Sequence, residues 1–146
     1  KKYIALDTIQ NPDNLGAISR TAEALGLDGM VICGGCDIYN PKALRASMGA
    51  LFRMPVLICQ NLEDEVEKFR KLGINTFATV PDRDAKNIVT VDFSKGGMCI
   101  IGNEGNGVSK EIIEKCDDRI TIKMDGRAES LNAASAASIV MWEMAR

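Results

Sequence analysis

Histidine is absent from the 146 residues of this chain. Its absence removes the side chain that most often serves as a general base or a metal ligand near neutral pH. The five cysteines are an odd number spread along the chain, which is not the pattern of a disulfide framework. We therefore expect reduced thiols, a cytoplasmic location and no bound metal.

Long apolar runs and a basic excess are also lacking. No stretch reaches the roughly 18 apolar residues that span a membrane, and no charged-then-apolar leader opens the chain. The formal net charge is −2, whereas a stand-alone nucleic-acid binder usually carries a basic footprint. Any RNA contact must therefore come from a local patch or from another domain.

The segment Cys33-Gly-Gly-Cys36 has the spacing of a redox pair or of half a zinc site. A redox pair favours its first cysteine at a helix start, whereas this cysteine closes a predicted strand. Zinc needs two more ligands at suitable spacing, and none are near. The segment therefore indicates neither a redox centre nor a metal site.

Hydrophobic residues make up 46% of the sequence, enough for the core of one domain over residues 1–146. Strand-like and helical segments alternate, which predicts an α/β fold with a parallel sheet covered by helices on both faces. Predicted strands cover residues 3–6, 30–33, 55–59, 75–80, 97–101 and 119–122, with a short edge segment at 88–91. Predicted helices cover residues 14–25, 41–46, 62–72, 109–115 and 131–144.

The last predicted helix carries no charge over residues 132–142. A helix that is apolar nearly all round is buried nearly all round. One side can pack on the sheet, and a second subunit is the natural cover for the other, so we predict a homodimer. Ser130 or a neighbour is the predicted N-cap, which leaves Asn132 in the first turn.

Six residues, Gly102-Asn-Glu-Gly-Asn-Gly107, follow the apolar run Met98-Cys-Ile-Ile101. Open α/β sheets bind ligands where a strand ends in a loop of this kind. The G-x-x-G-x-G spacing is neither the dinucleotide fingerprint nor the phosphate-binding loop. The loop therefore indicates a nucleotide-like ligand beside the carboxylate of Glu104, although the same residues also suit a tight strand-to-helix turn.

Two more polar clusters stand out, at residues 11–20 and 123–132. Arg20 lies opposite the apolar stripe of its helix, beside small residues that leave room around a cation. A solvent-facing arginine is the simpler interpretation of that residue alone. The second cluster leads into the last helix, whose amino end attracts negative charge.

Together the three clusters resemble the motifs of the SpoU (TrmH-type) RNA 2′-O-ribose methyltransferases of the SPOUT superfamily. The first matches at Asn14 and Arg20, six positions apart, and the second at Ile100-Ile-Gly-Asn-Glu-Gly105. The third matches at Ile120-Thr-Ile-Lys-Met124 followed by Ser130-Leu-Asn132. Residues 40–49 also resemble a segment common in the family, so the resemblance spans essentially the whole chain.

The resemblance implies a C-terminal trefoil knot, a rare feature of folds, that holds S-adenosylmethionine. It implies methyl transfer to a ribose 2′-hydroxyl of rRNA or tRNA without a metal, with Arg20 as the central catalytic residue oriented by Asn14. The implied catalytic set is Arg20, Asn14, Glu104, Ser130 and Asn132. The implied cofactor contacts are Thr79, Val80, Gly102, Asn103, Glu104, Gly105, Ile122, Met124 and Leu131.

The sequence departs from the family at Lys123, where proline is usual, so this loop is expected to be looser. The RNA-binding domain that many members add at the amino end has no counterpart here. The abrupt strand-like start fits a piece of a longer protein, and we expect weak RNA affinity from this piece alone. Candidates for a local RNA-binding patch are Arg20, Lys42, Arg45, Arg53 and Arg127.

Two other functions are weighed against this one. A dehydrogenase would need a glycine-rich loop after the first strand, and residues 8–14 contain no glycine. A non-catalytic RNA-binding or ribosome-assembly protein could keep the same fold. The presence of Arg20, Glu104, Ser130 and Asn132 argues against that alternative.

Overall fold

A computed structural model describes residues 1–128 and 130–146 of the chain. Within this part, seven strands form one sheet, and every pairing between neighbours is parallel. The strands are β1 (Lys2–Asp7), β2 (Gly29–Cys33), β3 (Val56–Cys59), β4 (Thr76–Thr79), β5 (Lys86–Asn87), β6 (Gly97–Ile101) and β7 (Asp118–Thr121). The predicted parallel sheet is confirmed.

The strands lie in the order β3-β2-β1-β6-β4-β7-β5. In the centre Leu6 of β1 pairs with Ile101 of β6, and Ile100 of β6 pairs with Ala78 of β4. Because the strands are parallel, the loops that follow β1, β6, β4 and β7 emerge at one edge of the sheet. A ligand site in an open α/β sheet is expected at that edge.

Helices cover both faces of the sheet, as the alternating pattern predicts. They are α1 (Pro12–Ala24), α2 (Pro41–Ala46), α3 (Ala50–Arg53), α4 (Leu62–Lys71), α5 (Lys110–Lys115) and α6 (Ala133–Ala145). Helices α1, α2, α3 and α6 pack over one face, and α4 and α5 over the other. Along β1, Ile4 and Leu6 enter the first core and Ala5 enters the second, as the twofold period of a strand requires.

Helix α1 begins two residues earlier than its apolar periodicity predicts. Oδ1 of Asn11 accepts hydrogen bonds from the N–H groups of Asp13 and Asn14, at 2.8 and 3.4 Å. Pro12 occupies the first turn, where the missing N–H does no harm. Asn14 therefore lies inside the first turn, where it is buried.

Helix α6 begins later than predicted, and the prediction of Ser130 as its N-cap is wrong. Asn132 is the cap, because its Oδ1 accepts from the N–H groups of Ala134 and Ser135 at 2.9 and 3.2 Å. Ser130 lies before the helix, in the chain that approaches it. The cap leaves the Nδ2 group of Asn132 free to make a contact elsewhere.

The outer face of α6 is not buried in a single chain. Val140 and Met141 are fully buried against the sheet, whereas Ile139 and Trp142 are 39% and 57% exposed. The uncharged helix therefore has two apolar surfaces. One packs on the sheet, and the other is exposed to solvent in a single chain. An exposed apolar strip of this kind usually marks an interaction site.

Two short elements differ from the sequence prediction. The edge segment expected at 88–91 is wrong, because Ile88–Thr90 forms a 3-10 helix and the edge strand is β5, just before it. Helix α3 was not predicted, and it follows Gly49, whose φ of 86° favours glycine. Both elements are too short to show a period in the sequence.

Candidate functional site

The glycine-rich loop after β6 folds back on itself. The N–H of Asn103 donates to the carbonyl of Gly107 at 3.1 Å, and the N–H of Gly107 donates to the carbonyl of Asn103 at 2.9 Å. Oδ1 of Asn103 accepts from the N–H groups of Gly105 and Asn106 inside the turn. At Gly102 a Cβ atom would lie 2.1 Å from the carbonyl carbon of Gly107, so only glycine fits there.

Glu104 ties this loop to the start of α1. Its Oε1 accepts from the N–H of Gln10 at 3.0 Å, and its Oε2 accepts from the N–H of Asn11 at 2.8 Å. Oε2 also accepts from Nδ2 of Asn14 at 3.1 Å. One carboxylate therefore satisfies three donors of the first helix and the loop before it, and it joins two segments that are far apart in the sequence.

The loop after β1 is held from the same side. Nδ2 of Asn103 donates to the carbonyl of Thr8 at 2.6 Å, and the N–H of Ser109 donates to Oδ2 of Asp7 at 2.9 Å. Thr8 has a φ of 60°, which is unusual for a β-branched residue. Strained backbone persists where the surrounding contacts determine it, and it is common at functional sites.

The pKa of Glu104 lies below its ordinary value. Burial acts to raise it, but hydrogen bonds from the N–H groups of Gln10 and Asn11 and from the amide of Asn14 favour the ionised form and outweigh burial. Glu104 is therefore ionised near neutral pH. In this state it only accepts hydrogen bonds, which suits a residue that organises two loops.

Replacing Glu104 with glutamine should lower stability by about 1 kcal/mol at neutral pH, since bonds to a charged acceptor weaken. A lowered pKa in the folded state contributes stability above the unfolded value, and that stability is lost as pH falls through the folded value. The difference in melting temperature between wild type and Glu104→Gln should therefore shrink as pH falls below 4.5, the ordinary value. Thermal denaturation between neutral and acidic pH measures it, and a constant difference would contradict the assignment.

Asn14 extends the cluster to the segment before α6. Its Nδ2 donates to Glu104, and its Oδ1 accepts from Nδ2 of Asn132 at 3.3 Å. Asn14 is buried, and both ends of its amide are used, so its orientation is determined. Three of the residues named from the sequence as catalytic, Asn14, Glu104 and Asn132, therefore form one chain of hydrogen bonds.

Arg20 lies apart from this cluster. It is exposed and lines a groove of about 540 Å³ between α1 and α6, together with Ala17, Ser138 and Trp142. The side-chain hydrogen bonds of Asn14 among the described residues go to Glu104 and Asn132, so the expected contact between Asn14 and Arg20 is not seen in one chain.

A cavity of about 490 Å³ opens at the carboxyl edge of the sheet. Three segments line it: the end of β4 with the next residues, the glycine-rich loop, and the chain between β7 and α6. Every residue named from the sequence as a cofactor contact lines this cavity, and Ser130 lines it as well. The members are Thr79, Val80, Gly102, Asn103, Glu104, Gly105, Ile122, Met124, Leu131 and Ser130.

Sequence reasoning missed other residues that line the cavity. Asp82 follows β4, Val108 and Ile113 follow the glycine-rich loop, and Ala136 lies in α6. The apolar members carry no motif and were indistinguishable from core residues. Asp82 lies in a polar loop without a recognisable pattern.

The cavity combines apolar walls with a few polar groups. Oγ1 of Thr79 is buried and has no hydrogen-bond partner among residues 1–128 and 130–146. An unsatisfied buried hydroxyl is uncommon and suggests a ligand that completes it. The charged side chains among the described residues of the lining are the carboxylates of Asp82 and Glu104. The cavity is therefore suited to a partly apolar ligand that carries hydrogen-bonding groups.

A second, more open cavity of about 540 Å³ lies on the other side of Glu104. The first loop lines it, with Asn103, Gly105 and Lys42. Glu104 thus separates two spaces, one enclosed by the sheet edge and one facing solvent. Lys42 is the positive group at the open side within the part of the chain that is described.

The other candidates for an RNA-binding patch differ in the contacts that their side chains make. Arg53 donates from Nε and NH2 to the two carboxylate oxygens of Glu23, each at 2.7 Å, and also to the carbonyl of Met48. Arg45 is exposed in the last turn of α2. Arg127 is exposed beside a further cavity of about 700 Å³. Arg53 would have to leave Glu23 before it could contact an anion.

Residues 1–128 and 130–146 contain neither a metal-binding cluster nor a membrane-spanning helix. No group of three or more acidic, cysteine or histidine side chains in that part lies close enough to hold a metal ion. No helix in it has the length and apolar character to cross a membrane.

Comparisons with known proteins agree with this geometry. The model of the SpoU rRNA Methylase family matches residues 1–142. The 23S rRNA (guanosine(2553)-2′-O)-methyltransferase RlmP of Bacillus subtilis is 36% identical over 145 residues, which cover 99% of this chain and 58% of that protein. The chain spans between half and three-fifths of the curated relatives it matches.

Two solved structures extend the likeness to the fold. The SpoU methyltransferase AviRb of Streptomyces viridochromogenes, in complex with the cofactor AdoMet, is 35% identical with a TM-score of 0.87 and covers 98% of this chain and 56% of that one. The AdoMet-bound rRNA methyltransferase of Sinorhizobium meliloti is 34% identical with a TM-score of 0.90. That match covers 99% of this chain and 55% of that one.

Proposed function

The chain belongs to the SpoU rRNA Methylase family, and on that premise we propose that it transfers a methyl group from S-adenosylmethionine (AdoMet) to a ribose 2′-hydroxyl of rRNA or tRNA. The observation that carries the proposal is the cavity at the carboxyl edge of the sheet. All the residues expected to contact the cofactor line it, and the Glu104–Asn14–Asn132 cluster lies at its border. We further propose that the chain is the catalytic domain of a longer protein.

The residues of the cavity fit AdoMet. The backbone at Gly102, Ile122 and Leu131 would hold it, and the unpartnered hydroxyl of Thr79 offers a hydrogen bond beside apolar walls that suit a base. When bound, AdoMet supplies a methyl group on a positively charged sulfur.

The protein's contribution to the transfer is positioning and electrostatics. A ribose 2′-hydroxyl is a weak nucleophile that must give up its proton to solvent as it accepts the methyl group, and negative charge builds on its oxygen as that proton leaves. The guanidinium of an arginine keeps its positive charge in proteins, so we assign Arg20 the binding of phosphate and the stabilisation of that negative charge rather than proton abstraction. Asn14, Glu104, Ser130 and Asn132 would shape the site.

Arg20 does not line the cavity of its own chain. It shares a groove with Trp142, whose ring is 57% exposed. We propose that a second copy of the chain covers this face, which would place Arg20 at a subunit boundary close to the partner's cavity. A role for Arg20 in the transfer thus depends on the dimer.

The dimer leads to a direct prediction. Replacing Trp142 with glutamate should convert the protein to monomers at micromolar concentration, because a charge would have to be buried at the interface. Sedimentation velocity measures the change. Leu72→Glu is the matched control, since Leu72 is 76% exposed at the end of α4 on the opposite layer. A wild-type protein that sediments as a monomer would exclude the dimer.

We also propose that the C-terminal segment is knotted. Strand β7 lies between β4 and β5, although both of these come earlier in the sequence. The chain then runs from β7 along the cavity to α6, which packs on the opposite side of the sheet from α4 and α5. This path supports a thread through the loop that connects β4 to β5.

RNA is the proposed partner, with a cytoplasmic location. Lys42, Arg45 and Arg127 are the candidates for a local basic patch, and Arg53 would join only by releasing Glu23. The net charge of −2 argues for weak RNA affinity from this chain alone. Phosphate contacts by these side chains should make that affinity fall as salt rises.

The first test is calorimetric titration with AdoMet and S-adenosylhomocysteine, with NADH as the control. Saturable binding of the first two and none of NADH is the expected result. Incorporation of labelled methyl groups into rRNA and tRNA then identifies the acceptor. Binding of NADH alone, or of no ligand, would refute the proposed cofactor.

A further inference from the structure

The loop that follows β4, residues 81–85, forms a wall of the cavity outside the motifs found in the sequence. Pro81 and Asp82 of this loop line the cavity. The loop contains a turn in which the N–H of Ala85 donates to the carbonyl of Asp82 at 3.1 Å. Four of its five residues, Pro81, Asp82, Arg83 and Asp84, are exposed, so packing does little to hold this wall in place.

Arg119 of β7 holds this loop from outside the cavity. Its NH1 donates to Oδ2 of Asp82 at 2.7 Å, and its NH2 donates to Oδ2 of Asp84 at 3.1 Å. A longer contact of 3.4 Å joins NH1 to Oδ1 of Asp84. The guanidinium therefore binds two carboxylates of one loop, which a single point charge would do less well.

The backbone of Arg119 is held in the sheet. Arg119 pairs with Ala78 in the sheet, and the next residue, Ile120, is fully buried in the core. The carbonyl of Ile120 accepts from the N–H of Val80 at 2.9 Å, just before the loop begins. The guanidinium thus projects from a fixed strand onto the loop beside it.

The charges of the loop complement the arginine. Asp82 and Asp84 lie two residues apart and would repel each other without a cation between them. The hydrogen bond to Arg119, with its positive charge, lowers the pKa of Asp84. Isolated ion pairs on the surface contribute little to stability. A guanidinium that joins two carboxylates in one network is a geometry in which such pairs do contribute.

We propose that Arg119 is a positioning residue of the cofactor cavity, which acts by holding Asp82 and the loop 81–85 in the shape that closes one wall. The inference rests on the proposed function for the identity of the ligand. Arg119 does not line the cavity, so it would not touch a cofactor bound there. Its loss should weaken the binding of AdoMet and leave turnover at saturating AdoMet intact.

The test compares Arg119→Leu with Arg119→Lys and with the control Arg70→Leu. Arg70 also forms an ion pair with a β7-proximal carboxylate, Asp117, and has a similar exposure, 39% against 37%. The Arg70–Asp117 ion pair lies at the amino end of β7, away from the cavity. Calorimetry should show AdoMet binding weakened about three- to tenfold in Arg119→Leu, less in Arg119→Lys and unchanged in Arg70→Leu.

Two further readouts separate positioning from general damage. The turnover number at saturating AdoMet should stay within about twofold of wild type, because only binding is affected. Amide hydrogen exchange should accelerate at residues 82–85 in Arg119→Leu and not in the glycine-rich loop. If Arg119→Leu does not fold, Asp84→Asn serves instead, since it removes one carboxylate of the fork from an exposed position.

The possible results are distinct. Wild-type AdoMet affinity in Arg119→Leu, or in Asp84→Asn if that variant is used, overturns the inference. A lower turnover number with unchanged affinity overturns it too. If the wild-type protein itself does not bind AdoMet, the proposed function fails and this inference fails with it, which the wild-type titration reveals before any variant is made.

Discussion

Replacing Gly102 with alanine is expected to abolish cofactor binding. The new Cβ would lie 2.1 Å from the carbonyl carbon of Gly107 and 2.1 Å from the nitrogen of Val108. Both are backbone atoms next to the paired hydrogen bonds between Asn103 and Gly107, so they cannot move aside without opening the loop. We expect AdoMet affinity to fall about a hundredfold or more, and stability to fall by about 3 kcal/mol, as in severe overpacking.

Calorimetry and thermal denaturation measure both effects, and Gly126→Ala is the control at a glycine outside the expected cofactor contacts. No atom lies within 4 Å of a Cβ placed there. Gly126→Ala should change stability by less than about 0.5 kcal/mol and keep AdoMet binding. Equal damage in the two variants would show that the close approach at Gly102 is not the cause.

Replacing Arg20 with alanine is expected to lower the turnover number by about 10² to 10⁴-fold, the range for loss of a group that stabilises charge in the transition state. AdoMet affinity should be unchanged, because Arg20 lies in the groove beside Trp142 and not in the cavity. Single-turnover methylation of RNA gives the rate, and calorimetry gives the affinity. The two measurements separate chemistry from cofactor binding.

Arg20→Lys tests the geometry of the side chain, since lysine keeps the charge but loses the planar fork. It should recover only a small part of the activity. The control is Arg70→Ala, which removes an arginine from the opposite layer. Full activity in Arg20→Ala would refute the assigned role. A wild-type protein that binds RNA but never methylates it, with the same RNA affinity in Arg20→Ala, would favour the non-catalytic alternative.

The sheet and its helices follow from local patterns. Met98-Cys-Ile-Ile101 is apolar on both faces, as a strand buried between two layers of helices must be, and its predicted bounds agree with β6. The bounds of α2 were also predicted, because Pro41 marks a first turn. The start of α1 was missed because Asn11 and Pro12 act through capping and backbone geometry, which apolar periodicity does not record.

The family resemblance named residues that line the cavity, and it did not give the contacts between them. Glu104, Asn14 and Asn132 were recognised through a family resemblance carried by short motifs. Glu104 accepts hydrogen bonds from the N–H groups of Gln10 and Asn11 because β1 and β6 are neighbours in the sheet. No local sequence pattern encodes that pairing. The prediction that Ser130 caps α6 was wrong for a similar reason. Asn132, the actual cap, is held by its hydrogen bond to Asn14 as well as by its bond to the N–H of Ala134.

The sequence alone determined the alternation of strands and helices and the glycine-rich loop, since these depend on neighbours in the chain. The tertiary structure decided three other features. Strand β7 is inserted between β4 and β5, Arg119 forms hydrogen bonds with the loop 81–85, and Arg20 lies outside the cavity. These depend on contacts between segments far apart in the sequence. Such contacts arise from the packing of the whole sheet, and the residues that make them carry no local signal.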